Sequence, residues 1–118
     1  MPRNKKNISI SKKYKYLFTD VFGDTPRVKV IELLFYMLMN SENEPPKTYI
    51  SQISRFTKLS KSSVKYAIDD LIKNKILIEV KEKTHAKYPK RFVYIDRNNQ
   101  ITNELYLLYK KIYNSFLI

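Results

Sequence analysis

The chain has no cysteine, no tryptophan, one glycine, one histidine, and only 11 acidic residues against 23 basic ones. Without cysteine neither a disulfide framework nor a thiolate zinc site can form, and a reducing intracellular compartment is the simpler expectation. His85 alone cannot build a metal site, so no metal and no cofactor is expected. Nothing in the chain resembles a glycine-rich phosphate loop, and no nucleophile has a base and an orienting acid to form a triad. The neighbouring carboxylates Asp69 and Asp70 diverge on a helix, so an enzyme is not expected. The longest uncharged apolar run, residues 33–39, is far short of the roughly 18 residues that a membrane span needs. The N-terminus also lacks the apolar core of a signal peptide. A soluble, cytoplasmic protein with no membrane partner is therefore expected.

What is present is positive charge. The 118 residues carry a formal charge of +12 and a pI near 9.8, the electrostatic footprint of nucleic-acid binding. Residues 1–24 hold six basic and two acidic side chains, and residues 76–98 hold six basic and three acidic. A leading arm and a late segment are thus both basic. The length suits one ordinary domain with its own core.

Residues 1–10 have no cap and little periodicity and read as a flexible basic arm, either a solvated tail or a segment reaching a minor groove. From residue 11 a helical face of Tyr14, Leu17, Phe18, Val21 and Phe22 runs to Gly23, placed where a left-handed C-cap is needed. Asp24 or Thr25 caps a second helix, Pro26 occupies its first position, and it extends to about Asn40. Val28, Ile31, Phe35 and Leu38 form one stripe, but Val30, Leu33, Leu34, Tyr36 and Met37 widen it enough to require partners on two sides. After a polar loop over residues 41–47, Thr48 caps a short helix bearing Ile50, Ile53 and Phe56. Thr57, Lys58 and Leu59 then bridge to the next helix, with Leu59 plugging the turn.

Residues 60–77, SKSSVKYAIDDLIKNKIL, combine an N-cap at Ser60 with an apolar stripe of Val64, Ala67, Ile68, Leu71 and Ile72. Lys61, Ser62, Ser63, Lys65 and Tyr66 are left facing outward. Two strand-like runs follow, residues 76–83 and 91–96, joined by the basic segment THAKYPK, and together they predict a β-hairpin. A final helix from Thr102 carries Leu105, Leu108, Ile112 and Phe116 on one face. Tyr106, Leu107, Tyr109, Tyr113 and Leu117 widen that face until it has too much apolar surface for water. It must pack on its own domain, on a second subunit, or on both.

This order of elements predicts a mainly helical α+β fold, a winged helix-turn-helix with additional N-terminal and C-terminal helices. The chain resembles the archaeal transcriptional regulators, including those of archaeal viruses and plasmids, over residues 17–97. FGDTPRVKV at 22–30 is similar to the phrase that opens the first helix of their domain, LSKSSV at 59–64 to the one that opens the recognition helix, and LIKNKIL at 71–77 to the lead into the wing. It departs from them at Lys75, where such relatives usually have glycine. Either Asn74 takes the left-handed backbone there or Lys75 accepts the strain.

The resemblance implies a homodimer on double-stranded DNA, with residues 1–10 as the arm, 11–98 as the DNA-binding domain and 99–118 as the dimerisation helix, through Leu105, Leu108, Ile112 and Phe116. The recognition helix, about residues 60–74, is expected to enter the major groove with Lys61, Ser62, Ser63, Lys65 and Tyr66, types that neutralise phosphates or bond to base edges. Asp69 and Asp70 should face away from the phosphates. Thr48 and Tyr49 begin a positioning helix whose free N–H groups can hold a phosphate, and Arg55 and Lys58 flank the turn. In the wing, about residues 83–91, Lys83, His85, Lys87, Lys90 and Arg91 are expected on the adjacent backbone or minor groove, and in the arm Lys12, Lys13 and Lys15. Each of these has a plainer reading as solvated surface; the agreement of cap, turn length and hairpin favours DNA. Two other readings are a protein-interaction module docking through its tyrosine-rich C-terminal helix, and an RNA-binding protein.

Overall fold

Pro26, which lacks an N–H, opens helix α2 (Pro26–Met39), and Val28 N donates to the Thr25 hydroxyl at 3.2 Å to complete the cap. The computed structural model describes residues 17–41, 45–82 and 90–117, without the side chains of residues 17, 82, 90, 116 and 117. Around α2 stand α1 (Leu17–Phe22), α3 (Ile50–Thr57), α4 (Lys61–Lys73) and α5 (Gln100–Leu117), with strands β1 (Leu77–Glu82) and β2 (Lys90–Ile95) between α4 and α5 in the chain. Among the described residues the fold is mainly helical with one antiparallel two-stranded sheet. Every side chain from Glu32 to Leu38 is buried, so α2 faces water on no side over about two turns. Its sequence requires this, because apolar residues occupy all sides of the helix there except at Glu32.

The carboxylate of Glu32 ties α1 to α2. It accepts hydrogen bonds from Phe18 N at 2.9 Å, Thr19 N at 3.0 Å and the Thr19 hydroxyl at 2.9 Å. The two N–H groups stand at the start of the described part of α1, and the carboxylate satisfies them away from water. At the other end Gly23 takes φ +111°, and its N–H donates to Thr19 O at 2.9 Å. The start expected at residue 11 and the Tyr14 ring lie outside the described residues. Val21 and Phe22, expected on the inner face, are more than half exposed. Among the described side chains of that face Phe18 enters the core, against Phe35 at 5.9 Å and Tyr109 at 5.4 Å between ring centroids, while Phe22 lies edge-on over Phe18.

Helix α5 begins at Gln100 rather than Thr102 because Asn99 caps it, its side-chain oxygen accepting from Thr102 N at 3.0 Å. The stripe expected to meet a second subunit is divided between the core and solvent. Thr102, Tyr106 and Tyr109 are buried, Leu105 and Ile112 are half-buried against the protein's own core, and Leu107 and Leu108 are exposed. Tyrosine rings bury more area than leucines and here meet Phe35 at 5.4 and 5.7 Å, so aromatic packing fixes the rotation. Burial pushes the Tyr106 phenol above its usual pKa. The Phe116 side chain lies outside the described residues.

The exit from α4 resolves the missing glycine. Lys75, not Asn74, adopts the left-handed backbone at φ 62°, with Ile76 N donating to Leu71 O at 2.9 Å and Lys75 N to Ile72 O at 3.0 Å. These two bonds are the pair of a Schellman cap. They turn the chain directly into β1, whose register pairs Leu77 with Ile95 and Glu82 with Lys90.

Replacing Glu32 with Gln turns an acceptor into a donor beside N–H groups, and should cost about 1–3 kcal/mol of unfolding free energy in urea titrations. Lys75→Gly should act in the opposite direction. It relieves a left-handed backbone and should add about 0.5–1 kcal/mol, less the entropy a glycine brings to the unfolded chain.

Candidate nucleic-acid interface

Helices α3 and α4 are joined by three residues, Lys58, Leu59 and Ser60, and hydroxyl groups hold the turn closed. Lys58 takes the left-handed backbone at φ 62°, its N–H donating to Ser54 O at 2.8 Å. The Thr57 hydroxyl donates to Ile53 O at 2.7 Å and accepts from Leu59 N at 3.3 Å, and the Ser54 hydroxyl donates to Leu59 O at 2.6 Å. Leu59 packs on the core as expected. Ser60 then caps α4, accepting from Ser63 N at 3.1 Å and donating to the Ser63 hydroxyl at 3.0 Å. Val64, Ala67, Ile68 and Leu71 are buried.

The opposite face of α4 therefore projects. Lys61, Ser62 and Lys65 are exposed, and Tyr66 is 71% exposed, a large fraction for an aromatic ring. Ser63 is half-buried and engaged with Ser60. The next turn carries the acids, and both are paired with arginines from other elements. Asp69 receives Arg91 Nη2 at 3.1 Å and Lys65 Nζ at 3.5 Å, and Asp70 lies 3.7 Å from Arg27 Nε. The hydrogen bond from Arg91, followed by the charges of Lys65 and Arg91, holds the Asp69 carboxyl below its usual range. The first two turns of α4 are thus cationic and polar, and the third is neutralised.

Arg91 also bonds through Nε to Glu79 across the hairpin, which raises the guanidinium pKa further. The strand pairing explains the geometry. Leu77, Val93 and Ile95 point into the core, and the same face carries Glu79 and Arg91 outward to the flank of α4. The chain Lys65–Asp69–Arg91–Glu79 fastens α4 to the hairpin. A second tie comes from Thr48, whose N–H and C=O exchange hydrogen bonds with Val93 at 2.9 and 2.8 Å, anchoring the start of α3 on β2.

No protein-family model, curated protein or solved structure matches this chain.

The expected contact residues separate into groups in this frame. Lys61, Ser62, Lys65 and Tyr66 share one exposed face, with Ser63 at its edge, and Arg55 and Lys58 are exposed at the α3 end of the turn. Thr48 is a correction. It is completely buried in the bridge to β2, its hydroxyl donates to Gln52, and the cap position of α3 belongs to Tyr49. Tyr49 is half-buried with its ring edge-on to Phe92 at 5.7 Å. Arg91 is a second correction, since its guanidinium is engaged by Glu79 and Asp69 rather than directed to solvent. Lys83, His85 and Lys87 of the hairpin loop and Lys12, Lys13 and Lys15 of the arm lie outside the described residues. Lys90 opens β2, with only its backbone described.

Arg27 was missed by sequence reading. It lines an open groove of ≈ 260 Å³ with Thr25, Ser63 and Tyr66, beside the exposed face of α4. The available signal was its position, because a cation in the first turn of a helix opposes the dipole and implies another partner. Among the described residues no acidic or histidine cluster could hold a metal ion, and no helix is long and apolar enough to cross a membrane.

Because the folded-state pKa of Asp69 lies below the ordinary 3.8, the unfolded chain binds the proton first as pH falls. The stabilisation is therefore complete above the ordinary value and disappears as pH falls through the lower folded value. Asp69→Asn should lower stability by at most about 1 kcal/mol at neutral pH, as befits a half-exposed pair. Urea titrations of the two proteins should converge once both are measured below the folded-state pKa.

Proposed function

We propose that the protein is a sequence-specific, double-stranded DNA-binding transcriptional regulator of winged helix-turn-helix type, acting as a homodimer. The observation that carries this reading is the exposed face of α4, with Lys61, Ser62, Lys65 and Tyr66 projecting from the first two turns of a helix that a three-residue turn and a hairpin hold on both sides. α4 is the recognition helix in this reading, and β1, β2 and their loop are the wing. The likeness of residues 17–97 to archaeal regulators, including viral and plasmid ones, belongs to the same proposal.

The chemistry of that face fits duplex DNA. Lys61 and Lys65 are placed to neutralise phosphates, and Ser62 can donate to or accept from a base edge. Tyr66 offers a flat apolar ring for a thymine methyl and a hydroxyl for hydrogen bonding. Asp69 and Asp70, each held by an arginine, limit repulsion where the helix leaves the groove. A twofold dimer reads two half-sites about one helical turn, or a multiple, apart, so the operator is a near-palindrome.

Selection from random duplexes at about 150 mM salt should enrich a near-palindromic motif. On that duplex, affinity should fall by about three to five powers of ten between 50 and 200 mM salt if the dimer neutralises six to ten phosphates. Lys61→Glu with Lys65→Glu should weaken binding by about 100-fold or more, with stability lowered by no more than about 1 kcal/mol through loss of the exposed Lys65–Asp69 pair. Intact affinity in the double variant, or equal competition by structured RNA, overturns the reading and shifts it to protein docking or RNA.

A further inference from the structure

With Tyr106 and Tyr109 turned inward, α5 presents a second apolar strip to solvent. Ile101 is 67% exposed, Leu107 51% and Leu108 39%. Glu104 and Lys111 are exposed on the same strip. At 3.6 residues per turn, Glu104 and Lys111 lie within about 20° of one another around the helix and about 10 Å apart along it. Two turns is too far for a direct ion pair, and each faces solvent next to a leucine.

The pattern has a centre. Glu104 and Lys111 are equally distant from the midpoint between Leu107 and Leu108, with opposite signs on the two sides. We infer that this strip is an isologous dimer contact, in which α5 of two copies cross antiparallel about a twofold axis passing between Leu107 and Leu108. In that register Glu104 meets the partner's Lys111 twice, once on each side of the axis, and Leu107 meets the partner's Leu108. A parallel pairing sets Glu104 against itself and Lys111 against itself. An antiparallel pairing shifted by one turn sets one of the two charges against a leucine and leaves neither opposite its complement. The complementarity is therefore to a second copy of this chain, in one orientation and one register.

The inference deepens the homodimer of the proposed function and rests on it for its biological role, but it names a different surface from the one expected from sequence. Leu105 and Ile112 of the expected stripe are engaged by the protein's own core. A single crossing of two helices buries an area at the low end for specific interfaces, below about 1,200 Å². The dimer is accordingly of moderate strength in free solution, and binding of two adjacent half-sites reinforces it.

Sedimentation equilibrium of the full chain at about 10–200 μM and 150 mM salt should show a monomer–dimer equilibrium. Glu104→Lys alone sets lysines opposite lysines, and Lys111→Glu alone sets glutamates opposite glutamates. Each should weaken the dimer by about 10-fold or more, and the double exchange E104K/K111E should restore it to within about threefold. Both side chains are exposed, so circular-dichroism melting should be unchanged in all three. A chain that is monomeric throughout the range, single variants as tightly dimeric as the parent, or a double variant as weak as the singles would each overturn the proposal. Fluorescence anisotropy with duplex DNA on the same samples separates the two readings. A monomer that binds duplex rejects this surface alone, whereas a dimer that rescues as described and binds no duplex rejects the DNA reading alone.

Discussion

The constraint on which this structure depends is that α2 has no face available to water. Seven consecutive buried side chains, Glu32 to Leu38, oblige the chain to supply neighbours around the helix, and α1, α3, α4, α5 and β2 do so. Each neighbour is held by what it contributes to that enclosure. Phe18 and Tyr109 pack their rings against Phe35, and α4 contributes Val64, Ala67, Ile68 and Leu71 to the same core. The buried Glu32 is compatible with such surroundings because it accepts hydrogen bonds from groups that α1 would otherwise leave unmet. One polar residue thereby ties the first helix to α2.

The face of α4 follows from this enclosure. Once its apolar stripe is committed to α2, the rotation of the helix is set, and the lysines, Ser62 and Tyr66 have no direction but outward. The arginines from α2 and β2 then act on the charge pattern of that face. Arg27 and Arg91 cover Asp70 and Asp69, so the excess positive charge is concentrated on the N-terminal half of the helix. The same contacts join α4 to α2 and to the hairpin, so charge placement and rigidity come from the same residues.

Elements governed by local chemistry were legible in the sequence. Thr25 and Pro26 start a helix, Ser60 caps one, Gly23 ends one, and both strands announce themselves by β-branched and aromatic residues. What was not legible depended on residues distant in the chain. Thr48 reads as a helix cap until Val93 is brought beside it as a strand partner. Arg91 reads as a free wing cation until the hairpin register places Glu79 and the fold places Asp69 within its reach. Leu105, Leu108 and Ile112 of α5 read as one contact stripe for a second subunit because periodicity alone does not weigh leucines against tyrosines, and the rings of Phe18 and Phe35 decide which of them turn inward. Lys58 has the least local signal, since its left-handed backbone is imposed by the hydroxyl bonds that close the turn around it.

The bridge between Thr48 and Val93 has a further consequence for how the molecule behaves at high concentration. A two-stranded sheet has two open edges, and an open edge is a template on which another polypeptide can add a strand. On the β2 side, the bridge occupies the backbone groups of Val93 near the middle of the strand, leaving no long continuous run for an intruder. On the β1 side, the strand reads LIEVKE, so Glu79, Lys81 and Glu82 charge its second half and oppose the close stacking that a growing fibril requires. At high concentration these two features disfavour the addition of a strand to the hairpin.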